Sequence, residues 1–152
     1  MSPEQLLGQI EAEESVVLAD FEAGLGTLSR LKAGQLDVVL IVAEPTAKSL
    51  EVARRAVELL RERTALEPII VANRVAGAEE RLLIERTLAG TSIVIVPDDP
   101  AIRAADLRGV APFDAMPDAP AVRAVRGLSA RLLTSHLTDA GRAGRGASPP
   151  LD

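Results

Sequence analysis

Four short apolar runs rich in valine and isoleucine lie in the first hundred residues, and none of them alternates with polar positions. They cover residues 16–18, 38–43, 69–72 and 93–96. Continuous runs of this length are typical of strands buried on both faces, as in a parallel sheet covered by helices. A buried helix gives a similar pattern, but these runs are short and are bounded by Asp, Pro, Asn or Gly. The pattern therefore predicts four strands.

Helical periodicity fills the intervals between these runs. Apolar residues recur on one face from residue 46 to about residue 63, and an apolar stripe from 78 to 89 ends before Gly90. Further helices are predicted to begin near residue 98 and to run from about 121 to 137. Alternation of strands and helices predicts an α/β domain, a layered and mostly parallel sheet with helices on both faces.

The expected domain covers residues 1–138, and the last residues have a different composition. Residues 139–152 are rich in Gly, Ala, Arg, Ser and Pro without periodicity, so we expect a disordered tail there.

Composition removes several classes of chemistry. The chain has no cysteine, which excludes a disulfide framework and cysteine-based metal or nucleophilic sites within it, and its single His136 argues against a Ser-His-Asp triad. Two phenylalanines are its only aromatic residues, and its formal charge is −5, which together argue against nucleic-acid binding. No apolar run is long enough for a membrane span, and the N-terminus does not resemble a secretory signal. We therefore expect a soluble, cytoplasmic protein whose chemistry rests on carboxylates, backbone amides and a bound cofactor.

Polar residues follow each of the four runs. In open α/β sheets, ligands bind beyond the carboxyl ends of the strands, so these residues are the candidates for a site. They are Asp20 after the first run, Glu44 after the second, Asn73 and Arg74 after the third, and Pro97, Asp98 and Asp99 after the fourth. Strand ends are polar in any such fold, so position alone does not assign a role.

The order of these segments resembles a known family. The segments are Asp20-Phe-Glu22-Ala-Gly24, Glu44-Pro45-Thr46, Asn73-Arg74-Val75 and Pro97-Asp98-Asp99. In this order they resemble the C-terminal half of the deviant P-loop ATPases related to MinD, ParA and the nitrogenase iron protein. The Asp-x-Glu-Ala-Gly segment resembles most the carbon-monoxide dehydrogenase maturation ATPases, the CooC-like branch. The resemblance spans residues 16 to about 137.

The resemblance implies roles for the acidic and glycine residues after the first run. Asp20 matches the Walker B or switch II aspartate, which holds Mg²⁺ through water, and a turn or helix-capping role is the alternative. Gly24 matches a mobile switch that senses the γ-phosphate, with an ordinary turn as the alternative. Glu22 is typical of the CooC-like branch, or else is a solvated loop carboxylate.

The later segments match the side of the family's site that binds the base. Asn73 matches the base-reading asparagine, whose amide both donates and accepts hydrogen bonds, and Arg74 belongs to the same segment. Pro97 and Asp98 match the segment that lines the other side of the base, and Asp99 adjoins it. Either aspartate could instead be the N-cap of the helix that begins at Pro100.

The family's phosphate-binding loop, G-K-G-G-x-G-K-T, is absent from these residues. The only lysines are Lys32 and Lys48, and neither stands in a glycine-rich loop after a strand. In the family this loop lies upstream of the matched segments. We therefore expect a truncated P-loop NTPase-type fold without the P-loop strand. ATP or ADP with Mg²⁺ is expected to bind only if the phosphate cradle is supplied elsewhere, and the chain alone is not expected to hydrolyse ATP.

In the family's strand order, the missing strand lies between the strand that ends at Asp20 and the one that ends at Ala43. We expect these two to pair directly, or the chain to associate with itself or with a P-loop-bearing partner chain.

Three functions remain in view. The first is the C-terminal portion of a MinD/CooC-like ATP-binding protein, and the second is a non-catalytic interaction or dimerisation module with the same fold. The third, a receiver-like signalling domain, needs a late strand-end lysine that this sequence does not have.

Overall fold

Strands and helices alternate along the chain in the computed structural model, which describes residues 16–21, 36–64 and 66–143, with side chains as far as residue 134. The elements are β1 (Leu40–Ala43), α1 (Ala47–Arg63), β2 (Ile69–Val75), α2 (Ala78–Thr87), β3 (Ser92–Pro97), α3 (Pro100–Leu107), α4 (Pro112–Ala115) and α5 (Pro120–Ala143). The chain divides into two compact units between Ile95 and Val96.

The three strands form one sheet in the order β1-β2-β3. β1 and β2 run parallel, with Leu40 opposite Ile69 and Ala43 opposite Ala72. Parallel neighbours joined by a helix are the α/β arrangement that the sequence predicts, and this fold class is confirmed. Within the described residues, β1 is an edge strand.

Helices α1 and α2 cover one face of this sheet. Their apolar residues recur every three or four positions and pack on alternate residues of the strands. The shared buried cluster consists of Ala43, Leu50, Ala53, Val57, Ile70, Ala72, Val75, Ile84 and Leu88. Complete burial of one such aliphatic side chain stabilises the fold by about 1.5–3 kcal/mol. The opposite face is less covered at β1, where Val42 is 65% exposed.

The first predicted strand is wrong. Residues 16–21 have no regular structure, and Val16 and Leu18 are 79% and 86% exposed. A three-residue apolar run forms a strand only when a neighbouring strand hydrogen-bonds to it. The expected neighbour was β1, but among the described residues β1 pairs only with β2. The expected direct pairing of this segment with β1 is therefore not observed.

The ends of two other elements differ from the prediction. β2 continues to Val75, so Asn73 and Arg74 lie within the last residues of the strand rather than after it. α5 continues past residue 137 to Ala143, so residues 139–143 of the predicted tail are helical. Residues 144–152 lie outside the described part.

In the second unit, one carboxylate organises two helices. Asp99 is the N-cap of α3 and accepts a hydrogen bond from Ala101 N at 2.9 Å. Its other oxygen accepts from Ala121 N, in the first turn of α5, at 3.0 Å. The Arg126 guanidinium lies 4.7 Å from the centre of the Phe113 ring. Across the described chain, no helix combines the length and apolarity that a membrane crossing requires.

Candidate functional site

The carboxyl end of β1 leads into a hydrogen-bonded turn that fixes the start of α1. Thr46 Oγ1 accepts from Ser49 N at 3.2 Å, and Ser49 Oγ accepts from Glu44 N at 3.0 Å. Thr46 N donates to Glu44 O at 2.7 Å. These bonds hold the backbone of Glu44 in place and leave its carboxylate 47% exposed at the strand end. The turn therefore presents one acidic group at a defined position.

The carboxyl end of β2 contains a backbone conformation that is rare for an arginine. Arg74 has φ 59°, the left-handed region, while the side chain of Asn73 before it is half-buried. For a residue with a Cβ, this conformation costs about 1–2 kcal/mol.

A break in the alternation of buried and exposed residues near the end of β2 explains this conformation. Ile70 and Ala72 are buried under the helices, and strict alternation would place Arg74 on that same face. Instead Val75 enters the buried cluster and Arg74 is exposed. The left-handed residue thus interrupts the alternation, which keeps the guanidinium out of the core.

The ends of β1 and β2 meet through an ion pair. Arg74 Nη1 lies 3.4 Å from Glu44 Oε1, and the two side chains are 64% and 47% exposed. Exposed pairs of this kind stabilise a fold by at most about 1 kcal/mol. Sequence reasoning named both residues but missed their pairing. The signal was available in principle, since parallel strands that align Ala43 with Ala72 also align the residues that follow.

At the end of β3, the three predicted residues differ in their surroundings. Pro97 is half-buried and Asp98 is exposed. Asp99 is half-buried, and each of its carboxylate oxygens accepts a backbone hydrogen bond at a helix start. The helix-capping alternative is therefore confirmed for Asp99. A role of these residues toward a nucleotide stays a prediction.

Asp20 lies exposed in the irregular segment 16–21. Glu22 and Gly24 lie outside the described residues, as does the side chain of His136. No three His, Asp or Glu side chains come together as metal ligands in the described part of the chain. A lone carboxylate such as Asp20 fits a water-mediated contact with Mg²⁺, whose other ligands would be water and phosphate oxygens.

A strongly perturbed carboxyl group lies on α1, outside the strand ends. Hydrogen bonds from Arg54 and then Arg55 lower the pKa of Glu51 from 4.5 to about 2. The pairs are spaced i,i+3 and i,i+4 along one exposed helix face. This perturbed pKa therefore reports a helix-stabilising network and does not mark a site.

Comparison with known proteins gives distant relatives. No protein-family model matches the chain. The chain is 27% identical over 134 residues to an uncharacterized ATP-binding protein of Methanocaldococcus jannaschii, covering 86% of this chain and 50% of that protein. It is 30% identical over 102 residues to the carbon monoxide dehydrogenase accessory protein CooC of Rhodospirillum rubrum, covering 66% of this chain and 39% of CooC.

The fold has a counterpart among solved structures. The MinD cell division protein of Aquifex aeolicus superimposes with a TM-score of 0.51 at 24% identity, over 78% of this chain and 48% of MinD. The chain thus spans half or less of the length of each of these proteins. By sequence, the chain is similar to CooC and to an ATP-binding protein, and its fold is similar to that of MinD.

Proposed function

We propose that this chain supplies the base-binding part of the ATP site of a MinD/CooC-like ATP-binding protein. The observation that carries the proposal is the arrangement of Glu44, Asn73 and Arg74 at the carboxyl ends of two parallel strands. Ligands of open α/β sheets bind at this edge, and relatives of the chain are ATP-binding proteins. Nucleotide-dependent maturation or partitioning is the wider activity proposed for the whole protein.

Asn73 is the group proposed to read the base. Its side-chain amide both donates and accepts hydrogen bonds, which matches the adjacent donor and acceptor on the edge of adenine. Being half-buried, it is held at the strand end while part of it remains open to a ligand.

Apart from the exposed guanidinium of Arg74, the described strand ends present no cation for the phosphate groups. The chain carries a net charge of −5 and has only two lysines, so we propose that a phosphate-binding loop outside these residues completes the site. Mg²⁺, when bound with ATP, would neutralise phosphate charge, and Asp20 would hold one of its waters. Without the loop, the electrostatic stabilisation that drives phosphoryl transfer is missing, so no ATP hydrolysis is expected from the chain alone.

A titration with adenosine and AMP tests this proposal without requiring a phosphate cradle. Amide signals of Asn73 and Arg74 in a ¹⁵N-labelled chain should shift with both ligands, and Asn73→Ala should abolish the shifts. The matched control is Ser92→Ala, because Ser92 is a half-buried polar residue at the amino end of β3. Equal loss of binding in the control, or shifts with pyrophosphate alone, would refute a base site at β2.

The second candidate, an interaction module, is favoured by the edge of the sheet. β1 has β2 on one side in the described structure, and Val42 is 65% exposed. Such an edge accepts a further strand from another chain. We propose either a homo-oligomer or a partner chain that bears the P-loop, in the cytoplasm. Light scattering on the purified chain tests self-association: Val42→Lys should give a monomer if the edge is the interface, and an unchanged dimer would exclude it.

A further inference from the structure

We infer that the outer face of α2 is a contact surface for a second copy of this chain, with the two helices packed antiparallel. The outer face consists of four exposed residues, Glu79, Leu82, Leu83 and Arg86. At 3.6 residues per turn, they lie on the opposite side of the helix from Ile84, which is buried in the core cluster. This surface includes none of the residues proposed to contact a nucleotide, so the inference goes beyond the proposed function and does not depend on it.

Two adjacent leucines form the centre of the outer face. Leu82 is 49% exposed and Leu83 is 45% exposed. A surface helix normally turns its apolar residues toward the core and its polar residues toward water, whereas α2 carries apolar residues on both sides. Packing the two leucines against another apolar surface would remove them from water, which favours association.

The charges beside the leucines make the outer face complementary to itself. Glu79 lies three positions before Leu82. Arg86 lies three positions after Leu83, so the two charges are equally far from the centre. A two-fold axis at that centre brings Glu79 of each copy level with Arg86 of the other. Parallel helices would instead place like charges opposite each other, so the charge order selects the antiparallel arrangement.

The two charged side chains of the outer face are available for such pairing. Arg81 and Glu85, on the flank of α2, are already joined at 2.8 Å. Within the part of the chain that the structure describes, no hydrogen bond or ion pair involves the side chain of Glu79 or Arg86. An acid near the start of a helix and a base near its end also suit the helix dipole. The dipole does not account for the two leucines between them.

The size of the outer face sets the strength of the contact. α2 has 10 residues. Its length is therefore about 15 Å, whereas a stable interface buries about 800 Å² on each partner. A contact this small is weak, so we expect a dimer with a dissociation constant on the order of 1 mM.

The experiment is a dilution series of the full ¹⁵N-labelled chain from millimolar to micromolar concentration. Amide signals of residues 79–86 should shift with concentration, and the double variant Leu82→Gln with Leu83→Gln should abolish these shifts. Glutamine is a good helix former and makes the face polar. The matched control is Leu107→Gln, because Leu107 is a 79% exposed leucine at the end of α3. The control should associate like the wild type.

Two charge variants test both the identity of the partner and the orientation of the helices. Glu79→Arg alone, or Arg86→Glu alone, places like charges opposite each other in the antiparallel dimer, so each should weaken association about 3- to 10-fold. An equimolar mixture of the two variants again has opposite charges at both ends and should associate like the wild type. The charge control is Lys48→Glu, at an exposed position of α1, which should not weaken association. Mixing cannot rescue a variant that is unfolded, so restoration also shows that both variants fold.

Several results would overturn the inference. One is a set of α2 signals that stays unchanged up to millimolar concentration, and another is a concentration dependence that survives in the leucine double variant. A mixture of the charge variants that associates no better than either variant alone would refute the antiparallel pairing. Methyl contacts from Leu82 to another segment of the same chain in a dilute sample would show that the outer face is covered internally.

The same series separates α2 from the other surfaces under test. If the shifts map to Leu40–Ala43 and Val42→Lys removes them, the β1 edge is the interface and the role of α2 is refuted. The nucleotide site is tested separately by the AMP titration, because the outer face of α2 contributes no residue to it. Loss of AMP binding in Asn73→Ala with an unchanged dilution series would support both conclusions independently.

Discussion

The Asp99 carboxylate caps two helices, so its removal should destabilise the second unit more than the loss of an ordinary N-cap. One oxygen accepts from Ala101 N and the other from Ala121 N, at 2.9 and 3.0 Å. Replacing a capping acid by alanine costs about 1 kcal/mol per helix, and the favourable interaction of a carboxylate with a helix N-terminus adds about 0.3–1 kcal/mol. We expect Asp99→Ala to lower the free energy of unfolding by about 2–3 kcal/mol.

A graded series measures the contribution of each hydrogen bond. Asn has a single side-chain oxygen, so Asp99→Asn can keep one of the two bonds and should lose about half as much stability. Asp106→Ala is the control, because Asp106 lies in the last turn of α3, where an acid opposes the helix dipole. It should change the free energy of unfolding by less than about 0.5 kcal/mol. Urea unfolding followed by far-UV circular dichroism gives these values from the midpoints, provided that the slope is unchanged.

Two results would refute the double cap. If Asp99→Ala stays within about 0.5 kcal/mol of wild type, the two hydrogen bonds do not stabilise the helix starts. If Asp99→Asn is as unstable as Asp99→Ala, the charge of the group stabilises the unit and the number of acceptors is irrelevant.

Two further predictions concern the helices. Hydrogen bonds from Arg54 and Arg55 lower the pKa of Glu51 from 4.5 to about 2 in the folded chain. The ionised Glu51 carboxylate therefore stabilises the fold fully above pH 4.5, and this stabilisation is lost as the pH falls from 4.5 toward 2. Urea unfolding should show Glu51→Gln less stable than wild type at about pH 6, with the gap closing near pH 2, and a constant gap would contradict this. In thermal melts, Gly127→Ala in α5 should be stabilising by about 0.5–1 kcal/mol, since nothing lies within 4 Å of an added Cβ. Gly90→Ala has the same open space but φ +79°, so it should be destabilising by about 1 kcal/mol, and equal effects would refute the role of backbone conformation.

Local patterns predicted the helices of the first unit well. The apolar recurrence from residue 46 to about 63 corresponds to α1, which spans Ala47–Arg63 with Thr46 as its N-cap. A helix start depends on a capping side chain and a helix face depends on periodicity, and both are visible in the sequence. Three of the predicted strands are also present, at residues 38–43, 69–72 and 93–96. Each of them has a neighbouring strand in the sheet and packs on one face against buried helix residues.

Long-range contacts were the part that local patterns did not predict. The run at 16–18 has the composition of a strand, but pairing depends on a partner strand and not on composition. The second hydrogen bond of Asp99 reaches a residue 22 positions away, which no helix-start signal reveals. The break in strand alternation at Arg74 did have a signal in the sequence. Ala72 and Val75 are both apolar but lie three positions apart, and a strand with strict alternation cannot bury both on the same face.

The positions of the polar residues decide which strand end is the better candidate for recognising a base. Asp99 uses both of its oxygens to hold helices, so a ligand could take one only by breaking a helix cap. Arg74 has an exposed guanidinium whose 3.4 Å contact with Glu44 is open to solvent, so loss of that one contact costs little. We therefore expect ligand binding to cost least at the ends of β1 and β2. Substitutions at Asn73 and Arg74 should affect nucleotide binding without unfolding the chain, whereas substitution of Asp99 should first reduce stability.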